Sequence, residues 1–203
     1  MKASGLIFII VLLSITIGST SCKWKVKNNS SNEDSTKVDT LWNAKVQDTF
    51  FDTKFGASKE EIIRNFAKHG FRLYKQYSEK DFLVFYHIPK DRFDFGGMTW
   101  ERLDVSLANG KFQSLRFYTP TQDKATAISY FNSIVKVLSQ KYKLTTIEPE
   151  DTITYGIRRV YSKTGIRAWV TCLRYESLNK SIYYTAELGY GDTNITEKVS
   201  DEL

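Results

Sequence analysis

The sequence predicts an α+β domain in which an antiparallel sheet has two helices packed on one face. Strand-like segments come in runs between two amphipathic helices, and tight turns join neighbouring segments. Hydrophobic residues make up 41% of the 203-residue chain, which suffices to bury a core and excludes a wholly disordered protein. The order helix, four strands, helix, three strands leaves open that the domain consists of two diverged helix-plus-sheet halves.

The first 21 residues have the pattern of a secretory signal peptide. Lys2 provides a positive start, and the twelve residues from Leu6 to Ile17 are mostly apolar. A helix of that length would rise about 18 Å, which is short of the ~30 Å hydrocarbon core of a bilayer. The segment therefore indicates export and not a spanning anchor.

Small residues, Ser19 to Ser21, end this segment, and Cys22 follows them. The stretch resembles the lipobox of bacterial lipoproteins, although Ser19 stands where that family usually has Leu. The resemblance implies that Cys22 carries a diacylglyceryl thioether, becomes the mature N-terminus and holds the protein in the membrane. Lys23 in the next position favours, by the same resemblance, the outer membrane of the cell envelope. Plain secretion or a periplasmic location after small-x-small cleavage is the alternative.

Residues 22–45 are rich in Asn, Ser, Asp and Lys, the composition of a flexible tether. We expect the α+β domain at residues 46–195 and a C-terminal tail at residues 196–203. From residue 46 onward the chain has 23 basic and 20 acidic residues, so a polybasic nucleic-acid-binding domain is not expected. The final Ser-Asp-Glu-Leu resembles an endoplasmic-reticulum retrieval signal, which we interpret as a coincidence.

The first helix is predicted to begin at Ser58, because Glu61 three residues later completes a capping box. Gly70 suits the left-handed position after the helix. The apolar stripe of this helix consists of Ile62, Ile63, Phe66 and Ala67.

The start of this helix resembles small bacterial envelope lipoproteins. These include the accessory lipoprotein of the barrel-assembly machine and domains similar to the β-lactamase inhibitor protein. The residues that carry the resemblance are Gly56, Ser58, Glu61, Ile62 and Phe66. The usual Gly-x-Pro after the helix is replaced by Gly70 followed by Phe71. The resemblance implies an α+β fold, an envelope location and a protein-binding role, and it transfers no catalytic residue.

A second helix is predicted from about residue 121 to residue 142, and further strands at 71–77, 81–88, 101–107, 155–162, 166–176 and 182–190. The apolar side of the second helix repeats at helical spacing and consists of Ile128, Phe131, Val135, Leu138 and Tyr142.

Two turns are expected to set the register of the sheet. A two-residue turn at Asn109-Gly110 would place Asp104 opposite Leu115 and mix polar with apolar positions. We therefore expect a three-residue bulged turn, which places Leu103 opposite Leu115. The same kind of turn at residues 163–165 would place Arg159 opposite Trp169 and Tyr161 opposite Arg167.

One face of the last strands is rich in aromatic residues and arginine, the composition of binding hot spots. The candidate partner-binding residues are Tyr155, Arg159, Tyr161, Arg167, Trp169, Tyr175 and Tyr183. A protein or glycan of the envelope is the expected partner, and nucleic acid is not expected. The alternative is that these side chains only stabilise the sheet, since an exposed cation–aromatic pair contributes about 0.5–1 kcal/mol.

No catalytic or metal-binding motif stands out in the sequence. His87, Asp91 and Asp94 come closest to a metal-ligand set, but their spacing matches no known zinc pattern. Cys172 alternates with small apolar residues and is expected to be buried. We therefore expect a non-catalytic protein without cofactor or metal. Two alternatives remain: an enzyme whose carboxylates the fold brings together, and a carrier that encloses a small apolar ligand.

Overall fold

The computed structural model describes residues 44–160, 162–177 and 179–195. Among them, no helix combines the length and the apolar character needed to cross a membrane. The predicted features that lie outside these ranges are the signal peptide, Cys22, residues 23–43 of the tether, Tyr161 and the tail of residues 196–203.

The described chain forms two helices, one short 3₁₀ helix (Lys75–Tyr77) and twelve strands. The helices are α1 (Lys59–Lys68) and α2 (Lys124–Ser139). The strands are β1 (Thr49–Phe50), β2 (Thr53–Lys54), β3 (Phe71–Leu73), β4 (Phe82–His87), β5 (Phe93–Phe95), β6 (Met98–Trp100), β7 (Arg102–Ala108), β8 (Lys111–Thr121), β9 (Leu144–Ile147), β10 (Thr154–Val160), β11 (Ile166–Glu176) and β12 (Ile182–Asp192).

Eight of the strands form one antiparallel sheet in the order β3-β4-β7-β8-β12-β11-β10-β9. Two separate ribbons, β1-β2 and β5-β6, complete the strand set of the described residues. The sheet has two halves of four strands each, β3-β4-β7-β8 and β12-β11-β10-β9, and in the chain one helix precedes each half. The last strand of each half, β8 or β12, lies at the centre of the sheet, where the two strands pair. Two helices with a large antiparallel sheet confirm the predicted α+β class.

Helix α1 forms where its capping signals place it. The Ser58 side chain accepts a hydrogen bond from the Glu61 backbone N–H, and Gly70 has a φ of 86° just after the helix. Ile62 and Phe66 are fully buried, as the apolar stripe predicts.

Helix α2 is shorter than predicted, because the chain remains extended as β8 up to Thr121. Asp123 caps the helix by accepting hydrogen bonds from the backbone N–H groups of Ala125 and Thr126. Its buried residues are Ala127, Phe131, Ile134 and Leu138, while Ile128 and Val135 are half-buried.

Alternate strand residues share one buried cluster with helix residues. Within it the Phe66 ring lies 5.1 Å from that of Phe85, and Phe131 lies against Gly156. The strand members include Leu83, Phe85, Leu103, Val105, Leu115, Phe117, Ala168, Val170, Cys172, Ala186 and Leu188. Cys172 is thus buried, as expected, and burial raises the pKa of its thiol.

The positions between these cluster residues point to the opposite side of the sheet, because side chains alternate along a strand. We call that side the polar face. It carries Arg102, Asp104, Arg116, Tyr118, Arg159, Arg167, Trp169, Thr171, Tyr175, Tyr183 and Glu187.

The hairpin between β7 and β8 differs from the prediction. Asn109 and Gly110 both have positive φ, and Ala108 pairs with Lys111, so the turn has two residues. The expected three-residue turn is therefore wrong, and Leu103 lies opposite Phe117 instead of Leu115.

A bulge on β8 keeps polar and apolar positions separate in spite of the shorter turn. Leu107 pairs with Phe112 but Ser106 pairs with Ser114, so Gln113 is one extra residue on β8. This extra residue moves Arg116 opposite Asp104 on the polar face.

Three further expectations on the strands are corrected or confirmed. The strand predicted at 71–77 ends at Leu73, and residues 75–77 form the 3₁₀ helix. Strands β1, β2, β5, β6 and β9 were not expected. Arg159 pairs with Trp169, which confirms the register predicted for the 163–165 turn.

Candidate partner-binding face

The structure divides the predicted binding residues among three places. Arg159, Arg167 and Trp169 lie together on the polar face, where the strands β10 and β11 meet. Tyr175 and Tyr183 lie on the same face, six residues farther along β11, which corresponds to about 20 Å. Tyr155 lies elsewhere, and Tyr161 is outside the described residues.

Tyr155 does not belong to the polar face. Thr154 pairs with Leu173 and Gly156 with Cys172, so Tyr155 occupies an irregular step in the ladder. Its ring lies 3.8 Å from the Lys124 Nζ at the start of α2. The expectation that Tyr155 faces Leu173 among the binding residues is therefore wrong, because the bulge turns its side chain toward the helix.

Tyr175 and Tyr183 form a cross-strand pair of their own. Their rings are stacked with centroids 5.6 Å apart and an interplanar angle of 17°. Burial raises the pKa of the Tyr175 phenol, and both rings are half-buried. This pair resembles a stabilising cross-strand contact more than an open binding residue.

The Trp169 side chain packs on top of a glycine of the neighbouring strand. Gly189 is its cross-strand partner, and a Cβ on Gly189 would overlap the indole ring. A Cβ on Gly191 would lie 3.1 Å from the Cβ of Ser114 and 3.4 Å from the Trp169 ring. The two glycines thus let the indole approach the backbone of the sheet closely, which leaves its other side half-exposed.

A groove of about 390 Å³ opens beside Trp169. It crosses four strands and is lined by Ser114 on β8, Gly191 on β12, Trp169 on β11 and Arg159 on β10. Adjacent strands are about 4.8 Å apart, so the groove spans about 14 Å. Its volume falls in the usual range of small-ligand sites, about 300–1,000 Å³.

Arg159 and Arg167 bring positive charge to this groove. Both side chains are exposed, and neither forms an ion pair with an acid among the described residues. Asp192 is the single carboxylate in the lining, and it accepts hydrogen bonds from Asn194. The groove therefore carries two available guanidinium groups against one partly engaged carboxylate.

A buried charge cluster occupies the middle of the polar face, next to the groove. The Arg116 guanidinium lies 3.6 Å from Asp104 Oδ2 and 3.7 Å from Glu187 Oε2. Arg102 Nε donates to Asp104 Oδ1 at 3.2 Å, and the Tyr118 hydroxyl donates to Asp104 Oδ2 at 2.8 Å. Asp104 is 3% exposed and Glu187 is 9% exposed.

Burial controls the protonation of this cluster. Desolvation raises the pKa of the Asp104 carboxyl above its ordinary value, against the opposing pull of Arg102, Tyr118 and Arg116. Desolvation likewise raises the pKa of Glu187, which Arg116 opposes. The Tyr118 phenol has a raised pKa for the same reason, aided by the negative Asp104 beside it.

Sequence reasoning missed this cluster. The cluster depends on the register of two strand pairs. Only the bulge at Gln113 places Arg116 opposite Asp104, and only the pairing of β8 with β12 brings Glu187 beside Tyr118. Phe112 and Leu115 are three positions apart, whereas apolar residues elsewhere in this strand alternate. That spacing in the sequence indicates such a bulge.

The sequence matches no family model. The curated proteins and the solved structures likewise gave no significant match.

Two other regions bear on the alternatives. Among the described residues, no group of three or more His, Cys, Asp or Glu side chains could hold a metal ion. His87 instead contacts the Lys90 carbonyl, and Asp94 accepts a hydrogen bond from Thr99.

An apolar cavity between α2 and the β5–β6 ribbon has a volume of about 110 Å³, well below the usual size of a ligand site.

Proposed function

We propose that this protein is a lipid-anchored, non-catalytic binding module of the bacterial cell envelope. The lipobox-like segment before Cys22 supports the anchor and the outer-membrane location. The domain would engage a protein or glycan partner through the polar face.

The helices leave this face available if both cover the other side of the sheet. Phe66 of α1 and Phe131 of α2 belong to one buried cluster with Val105 and Leu188 of the central strands. Residues of that cluster alternate with those of the polar face, which supports the inference that both helices pack on the opposite side. The repeated order of one helix and four strands also supports two diverged halves.

The observation that carries the proposal is the pair of exposed arginines beside the half-exposed Trp169. If these side chains only stabilised the sheet, close cation–aromatic contacts would be expected among them. The close contacts of this kind in the described residues are instead Arg102 with Tyr118, Lys124 with Tyr155 and Arg158 with Phe131. The side chains of Arg159 and Arg167 are thus free to meet a partner.

An enzyme is the second candidate, favoured by the convergence of Asp104 and Glu187. Both carboxyls, however, are buried against Arg116, and neither lines the groove. A general acid or base must reach the proton that it transfers, so this arrangement supports binding better than catalysis.

The test is partner capture by the full-length lipidated protein in its own envelope, followed by crosslinking and pull-down. The double variant Trp169→Ala/Arg167→Ala should lose the captured partner. The matched control, Tyr130→Ala/Lys136→Ala, removes an exposed aromatic residue and an exposed cation from α2 and should keep it.

The thermal transition of each variant separates binding from folding. Loss of the partner with a nearly unchanged transition supports the proposal. Equal loss in both double variants, or an unchanged partner profile in the Trp169 variant, would contradict it.

A further inference from the structure

We propose that the Trp169 groove binds an acidic glycan, in which a sugar ring stacks on the indole and its carboxylate meets Arg159 and Arg167. This inference rests on the proposed binding function and names the chemistry of the partner.

The Trp169 indole provides a flat apolar platform. The ring packs closely on the backbone at Gly189, so it loses little further freedom on binding. A sugar ring has a face of C–H groups that fits such a platform, while its hydroxyls remain at the edge for polar contacts.

The two arginines favour an anion over a neutral ligand. Arg159 lies directly across from Trp169, and Arg167 lies two residues before it on the same strand face. Two guanidiniums without an ion pair, both next to the indole, match a carboxylate on a sugar that stacks there, since guanidinium binds carboxylate through paired hydrogen bonds.

The polar atoms around the platform match hydroxyl groups. Gln113, Ser114 and Thr193 line the groove together with Asp192. Thr171 also lines the groove, directly opposite Glu187 of β12. Side-chain hydroxyl and amide groups can donate hydrogen bonds to sugar hydroxyls and accept them in return.

A peptide fits this place less well. Extended peptides add to sheet edges, where backbone N–H and C=O groups are unpaired. The groove instead lies over β8, β12, β11 and β10, each of which is paired on both sides within the sheet. Recognition here must come from side chains, which favours a ligand with its own hydroxyls and carboxylates.

The test is titration calorimetry with the full-length lipidated protein in detergent micelles. The probes are uronic-acid trisaccharides, namely oligogalacturonate, oligomannuronate and oligoglucuronate, each with its carboxyl-reduced neutral counterpart. We expect at least one acidic trisaccharide to bind, with its neutral counterpart at least about tenfold weaker. Added salt should weaken the binding.

Variants locate the site. Arg159→Gln/Arg167→Gln should weaken binding by about tenfold or more, and Trp169→Ala should abolish it. The control Arg64→Gln/Lys136→Gln makes the same change of net charge at exposed positions on the two helices and should bind within about twofold of wild type.

Three outcomes would overturn the proposal: no trisaccharide binds, the neutral forms bind as well as the acidic ones, or the control variant loses as much affinity as the arginine variant. Preferential binding of a hexaglutamate peptide would also overturn it. If pull-down still captures a partner through Trp169 in those cases, the proposed binding function stands without the glycan. If partner capture through Trp169 also fails, both the glycan proposal and the proposed binding function are wrong.

Discussion

At the scale of single residues, Gly189 determines where the Trp169 indole lies. The backbone of Gly189 is extended, so alanine would fit its conformation, but the new Cβ would overlap the ring. We expect Gly189→Ala to displace the indole, to lower the free energy of unfolding by about 1–3 kcal/mol and to weaken partner capture. Chemical denaturation measures the first effect.

A double-mutant cycle isolates the contact. In a Trp169→Ala background the same Gly189→Ala change should cost much less, because the ring that it displaces is gone. Equal costs in both backgrounds would show that the indole does not rest on Gly189.

The buried carboxyls predict an unusual response of stability to pH. Burial raises the pKa of Glu187 in the folded protein, so the folded state holds its proton to higher pH than the unfolded state. The contribution of Glu187 to the free energy of unfolding is therefore fully present below about pH 4.5, the pKa of this carboxyl in the unfolded chain. It is lost as pH rises through the higher pKa of the folded state. Glu187→Gln, which cannot ionise, should gain stability relative to wild type as pH rises above about 4.5.

Denaturation of both proteins across this pH range measures the difference. The matched control, Glu148→Gln, makes the same substitution at an exposed position outside the cluster. A Glu187→Gln variant that loses stability relative to wild type as pH rises would show that the ion pair with Arg116 outweighs the burial of the charge.

At the scale of elements, local signals predicted α1 and the strands β11 and β12 well. The cap of α1 depends on Ser58 and Glu61, which are three residues apart, so the sequence alone determines it. The end of β8 was missed because extended backbone up to Thr121 is held by pairing with Tyr184 of β12, far away in sequence.

The register of the β7–β8 hairpin shows how a correct assignment of faces can accompany a wrong pairing. The expected three-residue turn and the observed two-residue turn with a bulge both keep Leu103, Leu115 and Phe117 on one side. They differ in which residues are opposite each other, and pairing decides which charges meet.

The candidate site was predicted in part for the same reason. Arg159, Arg167 and Trp169 follow from alternation along strands that one short turn joins. The Asp104–Arg116–Glu187 cluster needs three strands, one bulge and a long-range pairing, so no local pattern determined it. Tyr155 was misplaced by a bulge that lies beside Gly156, where Phe131 packs closely.

At the scale of the whole molecule, the anchor proposed on Cys22 would hold the domain at a membrane surface. We expect Cys22→Ser to release the protein from the membrane fraction, because a lipid supplies about 0.8 kcal/mol for each buried CH₂ group and the substitution removes its attachment point. Fractionation with immunoblotting measures this, and metabolic labelling with a fatty-acid analogue reports the modification directly.

The matched control is Cys172→Ser, which leaves the attachment point intact and should remain in the membrane fraction if the protein folds. Membrane association of Cys22→Ser equal to that of wild type would defeat the proposed anchor.

The eight-stranded sheet ends in two of its shortest strands, β3 with three residues and β9 with four. Open edges of a sheet are the places where two protein molecules add strand to strand and begin to aggregate. Short edges offer few unpaired backbone groups for such growth. The long strands β8, β11 and β12 are kept in the interior of the sheet, so crowding of many copies at a surface would not readily join them into larger assemblies.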